Sequence, residues 1–123
     1  MFELSVDTHF SAAHCLDGFQ GDCARMHGHT WKVTAAIKGT GQDEVGMVVD
    51  FKVLSAALDD IIEPFDHRTL NDIEDFREIN PTAENIARFI YGKLAQALRV
   101  YPVTISSVTV AESDRYRVTY REE

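Results

Sequence analysis

The stretch FELSVDTHFSAAH, Phe2 to His14, alternates with a period of two. Phe2, Leu4, Val6, Phe10 and Ala12 share one parity; Glu3, Ser5, Asp7, His9 and Ser11 share the other. Successive side chains of a strand point to opposite faces, so the pattern predicts a half-buried β-strand with one face on a core. His29 to Gly39 does the same, with Trp31, Val33, Ala35 and Ile37 facing one way and Thr30, Lys32, Thr34 and Lys38 the other.

Downstream the period changes. After the turn-rich GTGQDEVG, Asp50 can cap a helix whose apolar residues Phe51, Leu54, Leu58 and Ile61 keep helical spacing, and Pro64 closes it. A second helix opens at NPTAEN, with Asn80 or Thr82 as the cap and Ile86, Phe89, Ile90, Leu94 and Ala97 as its stripe. Two late strands follow, about 105–112 and 116–121, joined tightly through Ser113 and Asp114. The order is ββααββ. It predicts an α+β layout in which both helices cover one face of an antiparallel sheet. Between the helices, residues 63–79 form a connection long for a compact domain, and long connections are commonly functional.

The 123 residues predict a single domain spanning 1–123, and 45% apolar with 26% charged content is that of a globular chain. No apolar run approaches the roughly 20 residues that cross a bilayer. The opening MFELSVDTHF lacks the basic and apolar regions of a signal peptide, which predicts a cytoplasmic protein. Cys15 and Cys23 are too few for a disulfide framework and are read as thiols. A net charge of −8 argues against general nucleic-acid binding, which needs a basic footprint.

The chemistry concentrates around CARMHGH, residues 23–29. In extended chain His27 and His29 point the same way and share parity with Trp31 and Val33, while His14 extends the buried row of the first strand. Three imidazoles then meet at adjoining ends of two inward faces. Three histidines with a free fourth position is the catalytic zinc pattern; a structural zinc would usually bring closely spaced cysteines. An iron triad would need a carboxylate, for which Asp17 or Asp22 is available without diagnostic spacing. Cys23, in a polar loop beside a metal, is a candidate thiolate base or nucleophile; the bland alternative is a small buried residue. Cys15 reads as packing. Asp66 and His67 form a carboxylate–imidazole pair that can orient and charge a general acid or base, or can be surface decoration. Glu112 shares parity with Val108 and Val110, and a lone inward carboxylate needs a partner. Arg115 or Arg117 would serve, and so would the two-donor edge of a pyrimidinone ring.

Together FSAAH, CARMHGH, GMVVDF, DHRTLND, NPTAEN and VAES stand in an order and spacing that resembles the 6-pyruvoyltetrahydropterin synthase family. Three residues between Cys23 and His27 resemble its bacterial branch, the 6-carboxytetrahydropterin synthases of the queuosine pathway. The resemblance implies a tunnelling fold, a four-stranded antiparallel sheet with two helices on one face, closed into a barrel by oligomerisation as a homohexamer of two trimers. It implies zinc on His14, His27 and His29, a proton-transfer set of Cys23, Asp66 and His67 drawn from neighbouring subunits, and Glu112 as anchor of a pterin substrate. It also implies the conversion of 7,8-dihydroneopterin triphosphate to 6-carboxy-5,6,7,8-tetrahydropterin, acetaldehyde and triphosphate, with no redox cofactor. The alternatives are a 6-pyruvoyl product, a small zinc hydrolase and a noncatalytic pterin- or metal-binding protein.

Overall fold

The computed structural model describes residues 1–18 and 24–122. Strand β1 (Phe2–His14) pairs antiparallel with β2 (His27–Gly39) in one unbroken register, from Phe2 opposite Gly39 to His14 opposite His27. The period-two pattern therefore runs the whole length of β1 without a bulge, and the faces are those the parity predicts. Helix α1 (Phe51–Ile62) follows, then a two-residue strand β3 (Arg68–Thr69), helix α2 (Ala83–Ala97), and the strands β4 (Thr104–Ala111) and β5 (Arg117–Tyr120). The sheet order is β3-β1-β2-β4-β5.

The fifth strand is the departure from the predicted four. β3 runs parallel to β1, with Arg68 opposite Ala12 and Thr69 opposite Ala13. Two residues are too few to show a period. What places them is local bonding: the His67 amide donates to the Ser11 carbonyl at 2.6 Å, and the Ser11 amide donates to an Asp66 carboxylate oxygen at 2.9 Å. The rest of the 63–79 connection is three short 3-10 turns, whose apolar residues Phe65, Leu70 and Phe76 are buried.

Both helices start at side-chain caps. Asp50 accepts from the Lys52 amide, and Thr82, not Asn80, accepts from the Asn85 amide at 3.1 Å. Helix α1 packs on β1, and α2 packs on β4 and β5, so both lie on one face of the sheet. Between the layers lies one apolar cluster that includes Trp31, Val33, Ile37, Leu54, Leu58, Ile86, Ile90, Leu94, Val108 and Val110, all fully buried. The predicted stripes shift slightly at helix ends. Phe51 is exposed and Ile62 is buried in α1, while Ala97 is exposed and Leu98, the C-cap of α2, is buried in its place. Apolar content alone does not decide which residues of a terminal turn are covered.

The other face of the sheet carries Ser5, Asp7, His9, Lys32 and Thr119, all exposed. Over most of its length β1 has a partner on one side only, and so does β5. The sheet is open among the described residues, with two unpaired edges. Among the described residues no helix is long and apolar enough to cross a membrane.

Candidate metal centre

The β1–β2 register decides where the histidines go. His14 sits directly opposite His27 and Ala12 opposite His29, so all three imidazoles project from the core-facing side at the end of the hairpin ladder. Their ring centroids lie 4.5 Å (His14–His27), 4.8 Å (His27–His29) and 5.4 Å (His14–His29) apart. One nitrogen from each ring lies within 4.8 Å of the others. Trp31 forms the floor, edge-on to His14 and His29, with its indole N–H donated to the Ala12 carbonyl at 3.2 Å.

The protonation of two rings follows from their partners. His14 Nδ1 lies 2.7 Å from the Pro81 carbonyl, and His27 Nδ1 lies 2.7 Å from the Arg25 carbonyl. A carbonyl only accepts, so the proton is on Nδ1 and the lone pair is on Nε2. Nε2 of His14 and of His29 is buried without a hydrogen-bond partner. Leaving such a nitrogen unpaired costs about 1–3 kcal/mol, and two of them converging on one point is the arrangement a bound cation removes. Burial holds the pKa of both His14 and His29 below the ordinary value, and the neighbouring His27 pushes the same way. Glu112 opposes the shift at both residues, and the Pro81 carbonyl opposes it at His14. Neutral imidazoles are what a metal needs. The set fits zinc: three nitrogen ligands with fixed tautomers at two, and a fourth position left for water or substrate.

Glu112 directly follows β4, and its carboxylate lies 3.9 Å from His29 Nε2, with the side chain 31% exposed. Its neighbour is therefore a histidine and not the arginines weighed from sequence. Arg115 lies over the Tyr116 ring, and Arg117 donates to the Asp114 carbonyl. The carboxylate sits at the mouth of the histidine cluster.

Asp66 and His67 are joined by a 3.0 Å contact between carboxylate and Nδ1. Asp66 is fixed by the Ser11 amide, which holds its carboxyl below the usual range ahead of any contribution from His67. His67 has φ 58°, a left-handed conformation that costs a non-glycine residue energy and is tolerated where the surroundings impose it. Its ring is 82% exposed and opens on a cleft of about 520 Å3 along the β1–β2 ends, beside Ser11, Ala13, Gly28, His29 and Thr30. Among the described residues no hydrogen bond or ion pair joins Asp66 or His67 to the histidine cluster. Cys23 and Asp22 lie outside the described residues. Asp17 is exposed and stands apart from the ligand group, and Cys15 is a half-buried free thiol.

Sequence reasoning missed the supporting shell. The carbonyls of Pro81 and Arg25 carry no sequence signal because every residue has one. Asn71 stood inside a noticed motif without an assigned task, and Asn80 was weighed only as a helix cap.

With this geometry in hand, comparison with known proteins is decisive. The profile of the 6-pyruvoyl tetrahydropterin synthase family matches residues 3–123. The chain belongs to that family. It is 42% identical to the 6-carboxy-5,6,7,8-tetrahydropterin synthase of Synechocystis, over 79% of this chain and 78% of that protein. It is 31% identical to the Haemophilus influenzae protein of the same name, over 99% and 100%. With the Bacillus subtilis synthase it shares 40% identity over 76% of its own length and spans 65% of that relative. The solved structure of Caenorhabditis elegans 6-pyruvoyl tetrahydropterin synthase superposes with a TM-score of 0.88 at 27% identity, covering 99% of this chain and 96% of that one. The fold is the family's tunnelling fold.

Proposed function

We propose that this protein converts 7,8-dihydroneopterin triphosphate to 6-carboxy-5,6,7,8-tetrahydropterin in queuosine and 7-deazapurine biosynthesis. The observation that carries the reading is the convergence of His14, His27 and His29 with Glu112 at the mouth of their cluster. The relatives named 6-carboxy-5,6,7,8-tetrahydropterin synthase at 31–42% identity support the choice of product.

Zinc on the three histidines would supply Lewis acidity toward the hydroxyl oxygens of the substrate side chain. Glu112 accepts the ring N–H and exocyclic amine of the pterin, so the ring is held beside the histidine cluster. Cys23, as thiolate, takes a proton from the side chain, and His67, oriented by Asp66, relays protons to and from it. Protonation of the ring carbon–nitrogen system moves the reducing equivalents from side chain to pterin, so no external oxidant enters. Triphosphate leaves, one carbon–carbon bond breaks, and the two-carbon piece departs as acetaldehyde. The retained carbon ends as a carboxylate with two oxygens where it had one, so one water is consumed.

The assembly we infer is a cytoplasmic homohexamer of two trimers. Its support is the pair of unpaired sheet edges among the described residues, and the exposed His67 ring, which has no hydrogen bond or ion pair to the histidine cluster of its own chain. Edge-to-edge pairing between subunits closes such a sheet.

The family also includes relatives named 6-pyruvoyl tetrahydrobiopterin synthase, such as the human protein at 32% identity. Mass-spectrometric product analysis of zinc-loaded protein with 7,8-dihydroneopterin triphosphate separates the two. The expected result is 6-carboxy-5,6,7,8-tetrahydropterin with equimolar acetaldehyde. A 6-pyruvoyl product would keep the site and overturn the assignment; no turnover would leave a binding protein.

A further inference from the structure

We propose that Asn71 and Asn80 are positioning residues for the metal centre, holding the chain that leaves β1 so that His14 presents Nε2 and only Nε2 to the ion. The inference rests on the reading of the three histidines as a metal site.

His14 is the last residue of β1, and the strand's backbone ladder to β2 ends with it. A ligand at the end of a ladder is held on one side only, and such ends fray unless they are tied. The following residues are tied by side chains. Asn71 pairs with both backbone groups of Cys15: its Oδ1 accepts from the Cys15 amide and its Nδ2 donates to the Cys15 carbonyl, each at 2.9 Å. Asn80 does the same to Asp17, accepting at 2.9 Å and donating at 2.8 Å. A carboxamide offers one acceptor and one donor side by side, as a neighbouring peptide would. The two asparagines thus extend the ladder past its end without a further strand.

The ties close a loop around the ligand. Asn80 binds Asp17, and its neighbour Pro81, which is buried, supplies the carbonyl that takes the His14 Nδ1 proton at 2.7 Å. The Asn80 carbonyl in turn accepts from Asn85 Nδ2 at 2.8 Å, in the first turn of α2. The rigid start of α2 therefore sets Asn80, Asn80 sets the segment after His14, and Pro81 sets the His14 ring. If segments 14–17 and 80–81 drift apart, the ring loses its reason to keep the proton on Nδ1. A flip then points the wrong nitrogen at the ion.

The test uses the full chain with Asn80→Ala and Asn71→Ala, each made also in a His14→Ala background. The isosteric Asn80→Asp replaces the donor and serves if the alanine variant fails to fold. The readouts are zinc affinity against a chromophoric chelator, and the visible absorption of the cobalt(II) form, whose intensity reports four-coordinate geometry. Folding of each variant is checked by circular dichroism. Folded Asn80→Ala is expected to bind zinc up to about 10-fold more weakly, the low end of the loss typical when a ligand's direct partner is removed, because the Pro81 carbonyl remains but is less well placed, with weakened cobalt absorption. In the His14→Ala background the same change is expected to alter affinity by less than about two-fold. Two results overturn the proposal: unchanged zinc affinity and cobalt spectrum in folded variants with only a lower melting temperature, or an equal loss in both backgrounds. If the unmutated protein binds neither zinc nor cobalt, the metal reading itself falls, and the inference with it.

Discussion

At the scale of single residues, Glu112 is the most informative position because its carboxylate stands 3.9 Å from His29 Nε2 yet is assigned to the pterin and not to the metal. The assignment separates two measurements. Glu112→Gln keeps the shape but loses the charge-assisted pairing with the ring. Losing such bonds costs about 1.5–3 kcal/mol, so kcat/KM is expected to fall roughly 10- to 150-fold. Zinc affinity is expected to stay within a few-fold; a collapse of zinc binding would make Glu112 a ligand instead. Asp66 offers a second check, through pH. Its folded pKa lies below 3.8, chiefly because the Ser11 amide binds the carboxylate. A depressed pKa contributes stability that is present above the unfolded value and is lost as pH falls through the folded one. For metal-free protein, wild type is expected to melt above Asp66→Asn near neutrality, with the gap shrinking only below about pH 4. A gap that closes well above pH 4 would contradict the Ser11 contact as its source. Both positions were legible as chemistry from residue type and parity. Their partners were not, since the Ser11 amide is a backbone group without a sequence signal and His29 lies on a different strand from the one Glu112 follows.

At the scale of elements, legibility followed periodicity. The thirteen-residue strands β1 and β2 declare their faces over many repeats, and a single register then brings His14 beside His27 and His29. Helices α1 and α2 declare themselves by stripe and cap. β3 was illegible because two residues carry no period, and it exists through the bonds of Ser11 with Asp66 and His67. The cap of α2 was ambiguous for a physical reason: Asn80 can cap, but its side chain is occupied with Asp17, which leaves Thr82 to accept the Asn85 amide. Asp50→Ala and Thr82→Ala are each expected to destabilise the protein by about 1 kcal/mol. The reading is the urea midpoint at unchanged slope; a changed slope would mean that the helix end reorganises instead of merely losing its cap.

At the scale of the whole molecule, the Asp66–His67 pair and the histidine cluster share no hydrogen bond or ion pair among the described residues, although His67 and His29 line one cleft. The three histidines converge with Glu112 beside His29, and the Asp66–His67 pair, held on Ser11 near the same end of β1, opens its exposed imidazole on that cleft. The sequence pattern placed the three histidines and Glu112 on faces and the Asp66–His67 pair in the long connection, but parity stops at the edge of a sheet and could not say whether they work within one chain. The open edges of β1 and β5 resolve this if subunits pair there: the base of one subunit then works on the substrate held by another. Complementation decides it. Cys23→Ala and His67→Ala are each expected to be nearly inactive alone. When the two variants are unfolded together, mixed one to one and refolded with zinc, random assembly makes roughly a quarter of the sites draw a wild-type thiol and a wild-type imidazole from different chains. Activity should therefore recover to about that share of wild type. If both groups came from one chain, every site in the mixture would lack one of them and nothing would recover. The same refolded sample, measured by light scattering, is expected to run as a hexamer. Recovery in a monomeric sample would contradict the shared site as firmly as no recovery in a hexameric one.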